Sequence, residues 1–447
     1  MLPTLAALAL TAAPTCGPLD LDAAVSLASS RSDEVAVRRS EVAVAEADLA
    51  IARALRIIPS ASATLLAGPV PAAHGTVVSS PNSNRSLADL GPFGRVDVQI
   101  AQPLYTFGRL EAASDAAQAG VRARALLVEN ELAQVQVRVI QLYWAVALSQ
   151  RILDIGAEVE RALADVDRRV ADSLARADGT ITAADRYRVN HFHGLVRQRE
   201  ADARQANELA RAGLAATLGL SPEQLKLKED RLEPGVAAVP GYQSVRAEAL
   251  ANRRDLQAMG QAIAAREAEV HAEEAAAKPQ FFIGGLFGFA WAPNRDTQTN
   301  PWVHDDFNFL TVGLAVGARQ DFAFPLLLAR AERVRSEEAS LERQRDALER
   351  LILAQSDGVL ADLRAAADRL EAARGTLSSG RSWFRAAGLD FAAGVGEAKD
   401  VLDAYQGYVE SQAWFAQAAY DVLVARARLA LVTGALPREG SAACELP

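Results

Sequence analysis

The sequence predicts a mainly α-helical protein with a small β part, in which one structural unit occurs twice. The order helix, two short strands, long helix and shorter helix is repeated along the 447 residues, with about 220 residues between equivalent elements. The long helices carry a coiled-coil pattern, and the strands alternate apolar with polar residues. We therefore predict a first repeat over residues 19–240 and a second repeat over residues 241–434.

The composition favours long packed helices and excludes some classes of partner. Half of the residues are apolar and only 6% are aromatic, while alanine and leucine are mixed with many Arg, Glu and Gln residues, as is typical of long helices. The net charge of −9 and the lack of a basic stripe argue against a nucleic-acid partner. No apolar run reaches the roughly 18 residues that a transmembrane helix needs.

The N-terminal segment, residues 1–18, is predicted to contain a signal peptide. Its apolar run Leu5-Ala6-Ala7-Leu8-Ala9-Leu10 leads into Thr11-Ala12-Ala13, which resembles a cleavage zone, although a positive n-region is missing. The alternatives are a frayed N-terminus and a start codon placed too late.

The two cysteines, Cys16 and Cys444, stand near opposite ends of the chain. A disulfide between them and two unpaired thiols are equally compatible with the sequence, because connectivity cannot be deduced from it. Lipidation of Cys16 is a further alternative, but Ala13-Pro14-Thr15 is a poor lipoprotein signal.

The helices and strands of the two repeats can be placed from periodicity and from proline and glycine. Pro59 and Pro279 each end the first helix of a repeat. In the first repeat we predict helices at 21–57, 109–178 and 183–218, and strands at about 60–70 and 95–103. In the second repeat we predict helices at 242–277, 326–392 and 397–433, and strands at about 280–291 and 307–320.

Apolar residues in both long helices step by 4, 3, 4, 3 and 4, which is the spacing of supercoiled helices. They are Val128, Leu132, Val135, Val139, Leu142 and Val146 in the first repeat, and Val359, Leu363, Ala366, Leu370, Ala373 and Leu377 in the second. The two shorter helices of each repeat together match the long one, so we expect them to stack end to end beside it in a helical tube wall. Segments 219–241 and 435–447 would gather in an equatorial belt.

The four predicted strands each have one apolar face. Val96, Val98 and Ile100 alternate with more polar residues, and Leu310, Val312, Leu314 and Val316 share one parity. Strands of about ten residues suit a tilted transmembrane barrel, but four strands cannot close one, and an open edge is not tolerated in lipid. Other subunits would then complete the barrel. The alternative is an edge of a soluble sandwich.

The chain resembles the TolC-like outer-membrane efflux protein family over essentially all of residues 19–434. The matching segments are Gln102-Pro103-Leu104-Tyr105-Thr106-Phe107-Gly108-Arg109, Pro59 and Pro279, Val401-Leu402-Asp403-Ala404 with Tyr408 and Tyr420, and Leu431-Val432-Thr433-Gly434. One departure is Gly317-Ala318-Arg319-Gln320-Asp321-Phe322-Ala323-Phe324-Pro325, where the family usually has a Pro-Leu-Phe-type segment.

The resemblance implies a homotrimer in the cell outer membrane with a periplasmic extension. Twelve strands would form one barrel and twelve helical rods a coiled-coil tunnel. It also implies outer-membrane lipid around the barrel, a periplasmic adaptor protein, and an inner-membrane pump of the RND or ABC type. The strand-to-helix segments of the two repeats are then expected to differ, Gln102-Pro103-Leu104 against Phe324-Pro325-Leu326.

The resemblance also assigns site residues at the helical hairpins. Asp400 and Asp403 would form an aspartate ring at the periplasmic mouth, six carboxylates in a trimer, which would repel one another and capture cations. Asp185 is the matching carboxylate of the first hairpin, but Phe391 and Gly396 stand where relatives have polar residues that bond it. Hairpin tips that would dock the adaptor contain Gly179, Thr180, Gly394 and Val395. Without the resemblance, helix capping by these acids is the better interpretation.

The predicted function is a passive exit duct of a tripartite efflux or type I secretion system. The alternative is a periplasmic adaptor or coiled-coil scaffold without a pore, which would have one hairpin and no repeated strand pairs. An enzyme is not expected, because no nucleophile elbow, Walker motif or metal spacing occurs. No cofactor or metal site is predicted: His191 and His193 lie two apart on a helix and so point to different faces.

Overall fold

The computed structural model describes residues 18–57, 60–75, 89–176, 182–228, 232–235 and 239–436. The predicted signal peptide up to residue 17, both cysteines, Pro59 and most of the predicted tail lie outside the described residues. The chain divides into two compact units. The first unit contains residues 1–40, 125–257 and 346–447. The second unit contains residues 41–124 and 258–345.

The fold is mainly helical with a small sheet, and the predicted fold class is confirmed. In the first repeat the elements are α1 (Leu21–Arg31), α2 (Asp33–Ile57), β1 (Ser60–Pro71), β2 (Leu90–Tyr105), α3 (Arg109–Arg176) and α4 (Ala183–Thr217). In the second repeat they are α5 (Tyr242–Asn252), α6 (Arg254–Ala276), β3 (Gln280–Trp291), β4 (Phe309–Arg319), α7 (Phe324–Ala392) and α8 (Ala398–Val432). The same order of elements therefore occurs twice.

The first helix of each repeat is broken, so the predictions of continuous helices at 21–57 and 242–277 are wrong. Ser32 has φ −61° and ψ 123°, and Arg253 has φ −62° and ψ 125°, both extended. Each break follows an eleven-residue helix. Beyond both breaks the next helix has acidic residues in its first turn, which stabilise its N-terminus. Neither break contains glycine or proline, and the sequence therefore gave no signal for it.

The heptad residues form the core of the first unit, as the periodicity predicted. Leu132, Val135 and Val139 are buried against α1 and the end of α4. Leu363, Ala366, Leu370 and Ala373 of α7 are buried against α8. Buried apolar seams at this spacing indicate coiled-coil packing between neighbouring helices.

In the second unit the described strands form one antiparallel sheet in the order β1-β2-β3-β4. Its register pairs Leu65 with Val96, Val96 with Phe289, and Phe289 with Leu310. Directly paired residues lie on the same face of a sheet. The register therefore places the apolar parity of all four strands on one face.

A glutamine holds the end of the sheet in each repeat, which changes the predicted correspondence between the repeats. Gln102 Nε2 donates to the carbonyl oxygen of Arg56 at 3.1 Å, and Gln320 Nε2 donates to that of Ala277 at 3.1 Å. Gln102 thus corresponds to Gln320, and Asp321 stands where the first repeat has Pro103. The prediction that the two strand-to-helix segments differ compared Gln102-Pro103-Leu104 with Phe324-Pro325-Leu326, whereas these hydrogen bonds align Gln102 with Gln320. Helix α7 begins at Phe324, two residues before the predicted start.

Candidate functional site

One face of the sheet, here called the apolar face, is covered with large side chains that are open to the surroundings. On β4, the side chains of Leu310, Val312, Leu314 and Val316 are between 68% and 79% exposed. The residues of this face are Ala61, Ala63, Leu65, Ala67, Val96, Val98, Ile100, Ile283, Phe287, Phe289, Trp291, Leu310, Val312, Leu314 and Val316. A contiguous apolar surface of this extent marks an interaction surface.

The opposite face, here called the polar face, carries mainly small and polar residues. It includes Ser60, Ser62, Thr64, Arg95, Asp97, Gln99, Gly284, Gly288, Thr311 and Gly313, together with the larger Leu66, Phe282, Leu286 and Phe309. Larger side chains lie over glycines: a Cβ at Gly288 would meet Phe309 at 2.9 Å, and one at Gly317 would meet Phe282 at 2.7 Å. Apolar and polar faces on the same strands are typical of a barrel wall between lipid and water.

Both edges of the sheet are open among the described residues. β1 pairs only with β2, and β4 pairs only with β3. Unpaired backbone groups on an edge strand pair readily with another strand. The sheet is thus able to accept a strand at each side.

The hairpin between α7 and α8 is fully described and ends in a tight glycine turn. Gly394 has φ +76°, and the amide of Val395 donates to the carbonyl of Asp390 at 3.1 Å, as in a Schellman motif. The side chain of Val395 is 80% exposed. The tip of the first hairpin, with Gly179 and Thr180, lies outside the described residues.

Asp400 and Asp403 are both exposed on the first turns of α8. Asp400 Oδ2 accepts a long hydrogen bond, 3.4 Å, from the amide of Glu397. Among the described residues no side-chain partner of Asp403 is found. Asp400 thus takes part in a capping box at the start of α8, whereas the exposed carboxylate of Asp403 remains available to a ligand or to an equivalent group of another subunit.

Asp185 occupies the equivalent position of the capping box at the start of α4, but its hydrogen bonds are shorter than the one that Asp400 accepts. Its Oδ2 accepts hydrogen bonds from Thr182 Oγ1 at 2.7 Å and from the Thr182 amide at 2.9 Å. These hydrogen bonds, and then the nearby Arg188 guanidinium, lower the pKa of Asp185 below its usual value. The capping interpretation that the sequence left open thus has direct support for Asp185.

Phe391 and Gly396 have no polar side chain that could bond Asp185. The Phe391 side chain is 44% exposed. A Cβ at Gly396 would lie 3.1 Å from Asp390 Cβ and 3.1 Å from the Phe391 amide nitrogen. A side chain at 396 would therefore be in tight contact with Asp390 and Phe391.

An apolar contact, here called the hairpin contact, joins α8 to the first hairpin. Leu402, Tyr405 and Val409 of α8 pack against a buried cluster of α3 and α4 formed by Ile155, Val159, Leu163, Val189, Phe192 and Val196. The rings of Phe192 and Tyr405 meet edge to face at 6.2 Å, and burial raises the pKa of Tyr405. Arg151 Nη2 also donates to Gln412 Oε1 at 3.0 Å. Sequence reasoning missed this contact, although the spacing of 402, 405 and 409 indicates one helical face.

Two further features concern metal ligands and helix hydrophobicity in the part of the chain that the structure describes. No group of three or more His, Cys, Asp or Glu side chains there could hold a metal ion. His193 instead lies between Asp167 and Glu160, with Nε2 3.2 Å from Asp167 Oδ2. No described helix combines the length and the apolarity needed to span a membrane.

Comparison with known structures identifies the fold as that of outer-membrane channels. The chain is similar to the channel OprN, with 17% identity and a TM-score of 0.73 over 93% of this chain and 89% of that one. It is similar to the CmeC outer membrane channel of Campylobacter jejuni, with 12% identity and a TM-score of 0.74 over 93% and 85%. It is also similar to the MtrE outer membrane channel of Neisseria gonorrhoeae, with 16% identity and a TM-score of 0.74 over 94% and 90%.

Residues 245–435 match the family of outer membrane efflux proteins, so the resemblance to TolC-like efflux proteins is confirmed. No curated protein matched the sequence. The family and the structural neighbours are channel proteins of the outer membrane, in agreement with the predicted location. The predicted alternative, an adaptor with one hairpin and no repeated strand pairs, does not fit the two strand pairs of this fold.

Proposed function

We propose that this chain is the exit duct of a tripartite efflux or type I secretion system. Three copies would form it, and it would conduct cargo passively from a periplasmic adaptor and an inner-membrane pump of the RND or ABC type. The observation that carries the proposal is the sheet, with an apolar and a polar face and an open edge at each side. Four strands cannot enclose a lumen, whereas three copies joined edge to edge supply twelve.

In this proposal the apolar face contacts outer-membrane lipid and the polar face lines water. Backbone groups of β1 and β4 would be paired between subunits, because unpaired ones cost several kcal/mol in hydrocarbon. The helical hairpins would open toward the periplasm, where the tips, with Gly179, Thr180, Gly394 and Val395, would dock the adaptor. No catalytic step is assigned to the duct itself, since the pump supplies the energy.

The oligomer and its location are testable together. The purified chain should migrate as a heat-modifiable trimer, be recovered with the outer-membrane fraction, and form channels in planar lipid bilayers. A soluble monomer that forms no channel would overturn the proposal.

We also propose that Asp400 and Asp403 form the narrow periplasmic mouth. Both are exposed, three residues apart on one helical face, and three copies would bring six carboxylates together. Asp185 would contribute mainly by fixing the start of α4, because its carboxylate is already bonded to Thr182. The hairpin contact would hold the two hairpins together in place of the polar bonds that Phe391 and Gly396 cannot make.

The double variant Asp400→Ala with Asp403→Ala tests the mouth. We expect a higher single-channel conductance and a weaker block by divalent cations, because the fixed negative charge at the constriction is removed. The conservative variant Asp400→Asn with Asp403→Asn should also lose the block while keeping the side-chain size. A block that survives both double variants would show that the cation site lies elsewhere.

A further inference from the structure

The loop between β3 and β4, residues 292–308 and here called the outer loop, is a folded structure with its own hydrogen-bonded core. Asn308 Oδ1 accepts from the Ala292 amide at 2.8 Å, and Asn308 Nδ2 donates to the Arg295 carbonyl at 3.0 Å. Asp305 accepts from the amides of Gln298 and Phe307, each at 2.9 Å. Ala292 is fully buried. These bonds between its two ends keep the outer loop in a compact form.

The outer loop also crosses the sheet to reach the end of β1. Asn294 Nδ2 donates to the Val70 carbonyl at 3.0 Å, and Arg295 Nη1 donates to the Pro71 carbonyl at 2.8 Å. The amide of Asp296 donates to the Ala73 carbonyl at 2.9 Å. Because β2 lies between β1 and β3, a loop that starts at the end of β3 has to pass over β2 to make these bonds.

The crossing takes place on the polar face. A Cβ built on Gly91 of β2 would lie 2.2 Å from Asn294 Cγ, so Asn294 lies directly over that glycine. Gly91 shares the parity of Arg95 and Asp97, which point to the polar face. Ala290, on the same face, is only 3% exposed. The outer loop therefore covers the polar face at the end of the sheet.

Cations and aromatic rings fasten the outer loop to this face. The Arg295 guanidinium lies 3.8 Å from the Phe307 ring centroid, and Phe307 meets Phe93 of β2 at 5.5 Å. Beside them, Arg95 lies 5.4 Å from the Phe309 ring and bonds Asp97 through Nε at 2.6 Å. Stacked guanidinium and aromatic groups of this kind are attractive and become more so when desolvated.

We infer that the outer loop is a preformed lid that narrows the outer end of the lumen. A second constriction, which limits the size of solutes able to pass, is formed by the cation–aromatic cluster. This cluster consists of Phe93, Arg95, Arg295, Phe307 and Phe309. This inference rests on the proposed function, because the polar face faces a lumen only in a closed barrel. Three lids, one from each copy, would converge at the outer end, and release of the Asn308 bonds would open them.

Cysteine labelling from outside the cell tests the lid. Its result does not depend on the periplasmic mouth, because the reagent enters the lumen from the outer end. The reporter is Thr311→Cys, two residues after Phe309 on the polar face of β4. The native cysteines are removed by Cys16→Ser and Cys444→Ser. Intact cells are treated with a small and a large membrane-impermeant maleimide. We expect the small reagent to label the reporter readily and the large reagent to label it slowly. Adding Asn308→Ala should speed labelling by the large reagent by roughly tenfold, because the loop then opens more often.

Two controls separate the possible failures. Trp302 is 92% exposed in the outer loop, so Trp302→Cys should react quickly with both reagents, with or without Asn308→Ala. If Trp302→Cys is not labelled from outside, the orientation in the membrane and with it the proposed function fail. If Trp302→Cys is labelled, but the large reagent labels Thr311→Cys equally fast with and without Asn308→Ala, the duct stands and the lid is overturned. Arg295→Met, which keeps a long side chain, repeats the test if Asn308→Ala yields no trimer.

The cation–aromatic cluster is tested by conductance in the Asp400→Ala, Asp403→Ala background, where the periplasmic mouth is not limiting. Phe309→Ala should raise conductance and admit larger polymers, because its ring lies on the polar face. Leu310→Ala is the matched control, since this neighbouring residue points to the apolar face. Equal effects of the two substitutions would contradict the assignment of the cluster as a constriction.

Discussion

The two repeats build the same elements but start their long helices differently. In the first repeat, Phe107 with φ +53° and Gly108 with φ +84° form a left-handed turn before α3. In the second, no described residue between β4 and α7 has a positive φ; Phe322 in this segment and Phe324 at the start of α7 are exposed. The glutamines that hold the ends of the sheet are common to both. A shared hydrogen bond thus preserves the architecture while the turn beside it varies.

The hairpins differ in a second way. Asp185 of the first repeat is bonded to Thr182, and its pKa is lowered by those bonds. Asp400 and Asp403 of the second repeat are exposed and have few partners. Asp400 also closes a capping box, but through one longer bond, and Asp403 caps no helix. A carboxylate that is weakly bonded has more capacity to bind a passing cation, so the second repeat is the better candidate for ion contact.

The largest effect is expected at the left-handed turn. Gly108→Val places a β-branched residue at a positive φ, which should destabilise the chain by about 3 kcal/mol. Ala323→Val is the matched substitution in the second repeat, where φ is not positive and the side chain is exposed, and it should have little effect. Thermal unfolding of the two purified variants and the wild type measures both effects. Similar losses in the two variants would show that the turns are energetically equivalent.

A smaller effect is expected at the hairpin contact. Tyr405→Ala removes a half-buried ring that packs on Phe192 and Phe384, at a cost of about 2 kcal/mol. If this contact holds the hairpins together, the variant should also raise single-channel conductance. Trp414→Ala on the same helix is the control, because its side chain is 57% exposed. Lower stability with unchanged conductance would limit the contact to a role in folding.

The sequence predicted those features that depend on local periodicity. Heptad positions such as Leu132 and Leu363 are buried, and the alternation in β4 places Val312 and Leu314 on one face, because side-chain spacing determines which side of a helix or strand is covered. The breaks at Ser32 and Arg253 could not be predicted, since neither position has glycine or proline.

Contacts between segments that are distant in the chain could not be predicted from the sequence either. The bond from Gln320 to the Ala277 carbonyl joins residues 43 apart, and the bond from Asn294 to the Val70 carbonyl joins residues 224 apart. Their partners are backbone carbonyls, which every residue possesses, so no residue type marks them. Resemblance assigned Asp400 and Asp403 to the mouth, but only the structure shows that the hydrogen bond to Asp400 is longer than those to Asp185.

The smallest effect is expected for the cap of α4, and its pH dependence has a definite sign. Asp185→Asn should cost about 1 kcal/mol of local stability near neutral pH, because a helix cap is weakened. The folded-state pKa of Asp185 is lowered, so its stabilisation is present above the unfolded value of about 3.9 and is lost as the pH falls through the folded value. Hydrogen exchange at the start of α4 should therefore differ between wild type and variant at pH 7 and converge in acid. Asp400→Asn should change exchange at the start of α8 less, since Asp400 accepts only one long bond from Glu397; an equal change would remove the distinction between the two hairpins.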